Sequence, residues 1–234
     1  MPLPSPHIQV KVSGDYACFS RPEFKVERVS YPVITPSAAR GVLEAIFWKP
    51  EFRYEIREIW VLRRGTEFAL LRNELSDRQG QTPVFIEDQR QQRASLILKD
   101  VAYLLRADLV LRQHATEPLP KYLSQLERRL ARGQCHHQPY LGTREFAAYC
   151  APVDGSASPH LWDQDLGTML FDIAFRVDTA RKEMEFFRPG ATGTQKVSGY
   201  AQPLFFQARV QGGIITVPPE KYQELYRLEG NDAS

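Results

Sequence analysis

Six side chains between residues 114 and 140 are of the types that transfer protons or stabilise anions: His114, Lys121, Tyr122, His136, His137 and Tyr140. Such groups can cleave RNA without a metal ion. One group deprotonates the 2′-hydroxyl, a second protonates the departing 5′-oxygen, and a cation stabilises the charged transition state. Each of the six also has an ordinary role open to it, because Tyr122 fits a helical core stripe and His114 and Lys121 suit solvated positions.

Other kinds of chemistry lack their sequence patterns. His136 and His137 follow Cys135, but adjacent residues on a strand point to opposite faces, and no HxxxH, HExxH or CxxC spacing accompanies them. The chain has no GxSxG nucleophile motif, no GxxxxGK[ST] loop and no GxGxxG segment after a predicted strand. We therefore predict neither a metal site nor a bound cofactor.

The charge is unevenly distributed along the 234 residues. The net charge of +2 divides into +5 over residues 1–150 (22 basic, 17 acidic) and −3 over residues 151–234 (8 basic, 11 acidic). Arginine supplies 22 of the 30 basic residues. Because the guanidinium fork matches phosphate oxygens and stacks on bases, a basic, arginine-rich first part is compatible with nucleic acid. On charge alone, solvated helix and strand faces paired with nearby glutamates are the preferred interpretation.

Composition excludes several protein classes. With 43% hydrophobic and 25% charged residues, the chain is typical of a globular protein with a core. The most apolar stretch, residues 96–111, is interrupted by charges, so we expect no membrane span, and the N-terminus lacks the pattern of a signal peptide. Three cysteines form no even set, which favours free thiols and a cytoplasmic location.

Two amphipathic helices are predicted. Thr35 and Pro36 suit the N-cap and first position of a helix whose apolar residues lie on one face before Pro50 ends it. A second helix is predicted over residues 119–132, with Gly133 as its cap. We expect residues 190–199, and the long polar segment 74–93, to form loops.

Strands are predicted around these helices. Residues 7–18 alternate, with a turn or bulge at Gly14, and residues 54–62 lead into a hairpin whose return strand is 66–73. Residues 95–112 carry two short strand-like runs, residues 140–152 another strand, and residues 205–217 a hairpin at Gly212-Gly213.

This order predicts an α+β fold. The order strand, helix, strand hairpin, strand, helix, strand over residues 7–152 fits a split βαβ, ferredoxin-like domain of the RNA-recognition type. We assign residues 1–152 to this domain and residues 153–234 to a small antiparallel β-sheet domain. Such sheets host many activities, so the fold alone supports no function.

Several motifs, spread in order over nearly the whole chain, resemble one known family. The segments 13–19 (SGDYACF), 41–50 (GVLEAIFWKP), 140–146 (YLGTREF), 166–169 (LGTM) and 213–218 (GIITVP) are similar to the CRISPR-associated Cas family five, Dvulg subtype, of type I-C systems. The small-residue helix that ends in Phe-Trp-Lys-Pro is the most specific of these motifs, and the short glycine segments are informative only together.

The resemblance implies an activity and its partners. Members of that family cut the repeat hairpin of precursor CRISPR RNA without a metal ion and retain the 5′ handle within a surveillance complex with other subunits. A tyrosine near the end of the first helix and a lysine-histidine pair before the second carry the family's chemistry. Here Phe47 occupies the tyrosine position, and the pair falls at Lys121-Tyr122, so the lysine is present and the histidine is not.

Three functional hypotheses follow. The first is a metal-independent endoribonuclease of antiviral defence, with Lys121 and His137 (or His136) as catalytic residues and a nucleic-acid-binding set of Arg40, Lys49, Arg128, Arg129, Arg132 and Arg144. The second is a weakly catalytic or inactive subunit that binds the RNA handle or double-stranded DNA. The third, a metal-dependent nuclease, would need a carboxylate cluster that the sequence does not show.

Overall fold

The chain folds around one large sheet. A computed structural model describes residues 8–24, 26–75, 80, 85, 87, 90–155, 157–190 and 193–230. Within these residues lie ten strands of one sheet and three helices, which confirms the α+β class. None of the described helices is long and apolar enough to cross a membrane. The strands are β1 (Ile8–Ala17), β2 (Arg28–Val29), β3 (Phe52–Arg63), β4 (Thr66–Leu75), β5 (Arg90–Leu111), β6 (Tyr149–Ala151), β7 (Gln164–Val177), β8 (Met184–Gly190), β9 (Gly193–Gln211) and β10 (Ile214–Thr216), and the helices are α1 (Pro36–Ile46), α2 (Leu119–Ala131) and α3 (Glu220–Leu228).

The strand order places the short strand β10 at the junction of the sheet. The order is β6-β1-β5-β3-β10-β9-β7, with β2 and β4 paired to β5 and β8 paired to β9. β10 pairs antiparallel with β3 on one side and β9 on the other, so it joins the strands before residue 152 to those after it. The predicted domain boundary at 152/153 falls between β6 and β7.

Both predicted helices are confirmed. The Thr35 side chain caps α1 by accepting a hydrogen bond from the Ala38 N–H at 3.2 Å, and Pro36 occupies the first helical position. α1 packs its apolar face against β3 and β7. α2 buries Tyr122, Leu126 and Leu130 against β5 and β6, and Gly133 follows it in the left-handed conformation, with φ +61°.

The predicted pairing of the 54–62 and 66–73 segments is wrong. β4 pairs with the first half of β5 (Thr66 opposite Lys99), whereas β3 pairs with the second half (Phe52 opposite Leu111). The two runs predicted over residues 95–112 are one continuous strand, in which Asp100 adopts a left-handed φ of +63°. Asp100 lies at the point where the partner of β5 changes from β4 to β3.

Gly14 and the 140–152 segment also differ from the prediction. Gly14 lies inside β1 opposite Val101 and makes no turn; a Cβ there would lie 2.5 Å from Leu141 Cδ1. Glycine therefore allows the chain at residue 141 to approach the strand closely. Of residues 140–152 only Tyr149–Ala151 are a strand. The Leu141 N–H donates to the Phe146 carbonyl oxygen at 2.8 Å, and this hydrogen bond closes residues 141–146 into a compact turn.

The loop predictions were partly wrong, and one helix was missed. Residues 74–75 and 90–93 continue the β4–β5 hairpin, residue 190 ends β8 and residues 193–199 begin β9, while 76–79, 81–84, 86, 88–89 and 191–192 lie outside the described residues. The hairpin at Gly212-Gly213 is confirmed. α3, which buries Tyr222, Leu225 and Tyr226, follows two prolines that obscured its start in the sequence.

Gly142 holds the 140–147 turn against β1, and its replacement should destabilise the fold. Its φ is +87°, and a Cβ would lie only 1.9 Å from the Cys18 carbonyl oxygen. We expect Gly142→Ala to lower the free energy of unfolding by clearly more than the roughly 1–2 kcal/mol that a left-handed conformation alone costs an L-residue. Gly133→Ala, which also has a left-handed φ but open space around it, is the matched control. Denaturant unfolding measures both, and equal losses would contradict the contact.

Candidate nucleic-acid interface

Arg40 fixes α1 against the far part of the sheet. Its Nε and Nη2 donate to the two oxygens of Asp172 on β7, both at 2.8 Å, and its Nη1 donates to Glu44 at 2.8 Å. Asp172 is 2% exposed. Burial alone would lower the pKa of Arg40, but the two carboxylates outweigh burial and raise that pKa well above its usual value. Ser37 also donates to Asp172, at 2.9 Å.

This geometry bears on the predicted nucleic-acid role of Arg40. Three of its nitrogen atoms already donate hydrogen bonds within the fold. A contact to phosphate would have to compete with a bidentate pair to a buried carboxylate, which is among the stronger hydrogen-bonding arrangements in proteins. A role of Arg40 in RNA binding therefore stays a prediction, while its part in positioning α1 is directly visible.

A group of polar side chains surrounds the start of α2. We call it the helix-start cluster; it consists of Lys49, Glu51, His114, Thr116, Glu117 and Lys121. Glu51 accepts a hydrogen bond from Thr116 at 2.8 Å and lies 3.6 Å from Lys49, while Lys121 pairs with Glu117 at 2.6 Å. The Thr116 hydroxyl, with Lys49 nearby, lowers the pKa of Glu51. Lys121 is exposed, so an anionic ligand can reach its ammonium group, in competition with the solvent-exposed pair to Glu117.

His114 belongs to the same end of α2. Its Nε2 lies 3.0 Å from the carbonyl oxygen of Pro50, the residue before Glu51. The side chain of His114 is exposed, as is that of Lys121. The helix-start cluster therefore contains a histidine and two lysines, which are the residue types that acid-base cleavage of RNA requires.

The two positions that the resemblance assigns to a tyrosine and a histidine come close together but are buried. Phe47 is 2% exposed and packs on Phe52, with ring centres 5.2 Å apart; Phe52 in turn packs on Tyr122 at 5.3 Å. Tyr122 is 1% exposed. Neither side chain can contact RNA in this conformation, although Lys49 Nζ lies 5.5 Å from the centre of the Tyr122 ring.

His136 and His137 lie beyond the other end of α2, next to the last turn of α1. The backbone N–H groups of both donate to the carbonyl oxygen of Ala45, at 2.7 and 3.2 Å. Their side chains are exposed, with ring centres 5.8 Å apart, and the His137 ring is stacked near that of Tyr140 at 6.4 Å. The chain after α2 thus presents two imidazoles and a phenol in a row.

Four of the predicted nucleic-acid-binding arginines lie on α2, at its C-cap or in the 140–147 turn. One of them contacts α1, and the other three are exposed. Arg129 donates to the Ile46 carbonyl at 3.1 Å and lies over the Phe47 ring at 5.3 Å, so it joins α2 to α1. Arg128, Arg132 and Arg144 are exposed. In the part of the chain that the structure describes, none of these three makes an ion pair, and all three can bind phosphate without breaking one.

The length of α2 keeps the predicted catalytic residues apart. Lys121 lies in its first turn and Arg132 caps its end, and at about 1.5 Å per residue the helix separates their backbones by roughly 16 Å. His136 and His137 follow Arg132. Lys121 and these histidines therefore occupy two ends of one surface and do not contact each other. Such a surface can bind successive phosphates of one RNA strand.

The thiols and acidic groups offer little alternative chemistry. All three cysteines are unpaired. Burial raises the pKa of Cys150 to about 12 and that of Cys18 above its usual value, so neither ionises readily. Among the described residues, no three His, Cys, Asp or Glu side chains gather as metal ligands would.

Sequence reasoning missed the acidic partners of these basic residues. Asp172 is 132 positions from Arg40, and Glu51 is 65 from Thr116, so no local pattern could pair them. Pro50, read as a helix stop, gave no sign that its carbonyl meets His114.

Comparisons with known proteins agree on one family. The family model described as CRISPR-associated protein (Cas_Cas5), of the Cas5d type, matches residues 7–218. A protein of Thermus thermophilus, the CRISPR pre-crRNA endoribonuclease Cas5d, is 67% identical over 97% of each chain. The protein of the same name from Mannheimia succiniciproducens is 40% identical over 94% of this chain and 98% of its own length.

A solved structure supports the fold. The crystal structure of a CRISPR-associated protein superposes with a TM-score of 0.60 at 22% identity, over 91% of this chain and 92% of the other. At that level of identity the likeness concerns the arrangement of strands and helices alone.

Two arginine substitutions test whether Arg40 stabilises the fold and whether the exposed Arg128 does not. We expect Arg40→Ala to lower the free energy of unfolding by about 3–5 kcal/mol, because it leaves the buried Asp172 carboxylate unpaired. Arg128→Ala, on the exposed end of α2, should change it by no more than about 0.5 kcal/mol. Denaturant unfolding at neutral pH measures both. An Arg40→Ala protein as stable as wild type would contradict the structural role.

Proposed function

Because this chain belongs to the Cas5d family of CRISPR-associated proteins, we propose that it is an endoribonuclease that cuts precursor CRISPR RNA at the repeat hairpin and retains the 5′ handle. The observation that carries the proposal is the basic surface along α2, where exposed lysine, histidine and arginine side chains follow one another next to the end of α1. The names of the two relatives support the reaction and its substrate. Other subunits of a type I-C surveillance complex are the proposed partners.

The finer architecture is part of the same proposal. We infer a ferredoxin-like domain over residues 1–152, supported by the order β6-β1-β5-β3 and by the positions of α1 and α2 between successive strands of that set. Residues 153–234 form the second, β-rich domain of this proposal, supported by the hairpins of β7, β8 and β9. β10 then links the two by pairing with β3.

The proposed reaction needs no metal ion, and residues of the helix-start cluster carry out its steps. A base removes the proton of the 2′-hydroxyl, the oxygen attacks the adjacent phosphorus, and the 5′-oxygen leaves with a proton, giving a 2′,3′-cyclic phosphate. Lys121 supplies the positive charge that stabilises the transition state. His114 is the favoured proton-transfer group, because it lies at the same end of α2 as Lys121, whereas His136 and His137 lie about 16 Å of helix away.

His136 and His137, predicted as catalytic from the sequence, keep a place on the RNA path. Together with Arg128 in the last turn of α2 and Arg132 at its C-cap, they form a second proposed contact region at that end of the helix. A histidine at this position can bind phosphate when it is protonated, or it can stack on a base. The alternative is that His137 or His136 transfers a proton in catalysis, and the experiments below distinguish these two roles.

A second candidate function is a subunit that binds the RNA handle, or duplex DNA, without cutting. The observation in its favour is that Phe47 and Tyr122 occupy the positions where the resemblance expects a tyrosine and a histidine, and that both side chains are buried. This hypothesis predicts tight, salt-dependent binding and no product.

Cleavage of repeat RNA in excess chelator is the first test. We expect a single cut at the hairpin base with a cyclic-phosphate end, slowed by about 10²–10⁴-fold in Lys121→Ala, while the affinity for RNA changes little. Lys182→Ala removes an exposed lysine between β7 and β8 and is the matched control. Binding without product would support the second function, and product only after magnesium or manganese is added would indicate a metal-dependent nuclease. Duplex DNA in the same binding assay tests that ligand.

The histidine variants decide which group transfers the proton. We expect His114→Ala to lower the cleavage rate of bound RNA by a factor of about 10²–10⁴, and His136→Ala with His137→Ala to weaken RNA binding more than the rate of the bound complex. His160→Ala, an exposed histidine near β3, should alter neither. Single-turnover rates at saturating protein measure the step. The reverse pattern would assign catalysis to His137 or His136.

A further inference from the structure

Gly41 occupies an exposed position in the middle of α1 without a structural need for glycine. Gly41 lies inside α1, and its φ is not positive. A Cβ atom added to it would lie more than 4 Å from every neighbouring heavy atom outside its own helical turns. Glycine is less favourable than alanine in a helix interior. Neither a close contact nor a special conformation offsets that cost within the described fold. The consequence of glycine here is an open space above the helix.

That space belongs to a cavity of about 260 Å³. Its walls are formed by three parts of the chain: residues after β1, the first turns of α1, and the turn after His137, with Leu170 of β7 at its edge; the lining residues are Phe19, Ser20, Thr35, Ser37, Ala38, Gly41, Tyr140, Gly142 and Leu170. Cavities for drug-sized ligands measure about 300–1,000 Å³, so this one suits a smaller group. Its lining residues include two aromatic residues, two serines and a threonine.

The cavity opens beside the histidines of the proposed RNA path. Ala45, whose carbonyl holds the backbone of His136 and His137, lies one helical turn after Gly41 on the same face of α1. Tyr140 lines the cavity, and its ring plane is inclined by only 26° to that of His137. Tyr140 thus lies between the cavity, which it lines, and the exposed His137 ring, whose centre is 6.4 Å from its own.

We propose that this cavity is a base pocket, in which one unpaired base of the repeat RNA stacks on Tyr140 above Gly41. The inference rests on the proposed function and names a recognition site for its substrate. Single-stranded RNA is read in proteins by splayed bases that stack on aromatic side chains and hydrogen-bond at their edges. Ser20 and Ser37 line the same cavity. The Ser37 hydroxyl donates to Asp172 and can therefore only accept from a base edge, whereas the Ser20 hydroxyl, 3.6 Å from Cys18 Sγ, can donate or accept.

The neighbouring charges fit a nucleotide better than an apolar side chain of a protein. Arg144 follows Gly142 of the cavity wall by two residues, and it is exposed. Arg21 lies over the Tyr31 ring, 4.8 Å from its centre, close to Ser20 in the chain. Arg144 is therefore a candidate for contact with a phosphate next to an inserted base, whereas Arg21 already lies 3.8 Å from the Glu23 carboxylate.

The test fills the pocket without removing any contact of the fold. Gly41→Leu places a side chain in the open space, Gly41→Ala reports the effect of helix propensity alone, and Gln223→Leu adds the same leucine to an exposed position of α3. Affinity for the repeat RNA is measured at fixed salt, with thermal unfolding as the check on folding. We expect Gly41→Leu to weaken RNA binding by about 5- to 150-fold, the range for one stacked base, and Gln223→Leu to leave it unchanged.

A series of repeat RNAs that each lack one base gives the second measurement. With the wild-type protein, one abasic position should weaken binding by a similar factor; with Gly41→Leu, that position should cause no further loss. Two results would overturn the base pocket alone, provided that the wild-type protein binds and cuts repeat RNA. One is that every abasic RNA binds the wild-type protein equally well. The other is that Gly41→Leu binds repeat RNA as tightly as the wild type does. Wild-type protein that neither binds nor cuts repeat RNA would overturn the proposed function and the pocket with it.

Discussion

The bidentate pair between Arg40 and the buried carboxylate of Asp172 determines where α1 lies. It ties a helix from the first part of the chain to β7 in the last part, and Ser37 reinforces it from the same helix turn. Once α1 is fixed, its last turn meets α2 through Arg129, which donates to the Ile46 carbonyl. The carbonyl of Ala45 then receives the chain that carries His136 and His137. Each element of the candidate interface depends on the one before it.

This dependence explains why polar groups at two ends of α2 belong to one surface. The helix is rigid and buries a single stripe, so its exposed residues form a row about 16 Å long from Lys121 to Arg132. Lys121 and His114 lie at one end and the histidine pair at the other, with Gly41 and Tyr140 beyond it. A strand of RNA laid along that row would meet a candidate cutting site and a candidate base pocket at different nucleotides.

The sequence predicts the local elements better than their partners. Thr35-Pro36 and the leucine stripe of residues 119–130 act within a few positions, and both helices lie where these signals place them. The predicted hairpin was wrong because β5 pairs with β4 before Asp100 and with β3 after it, and the left-handed conformation of Asp100 carries no strong sequence signature. The candidate site follows the same rule: residue types pointed to Lys121 and the histidines, but only the fold reveals the helix length that separates them.

The proposed path of repeat RNA along the α1–α2 surface is tested most directly by photocrosslinking. Repeat RNA that carries 4-thiouridine at single positions is irradiated on the wild-type protein, and the linked peptides are identified by mass spectrometry. We predict crosslinks at Tyr140 and at the exposed Trp48, from different nucleotides. Crosslinks confined to the exposed aromatic residues of the opposite sheet region, Phe175 on β7 and Phe187 on β8, would contradict the account.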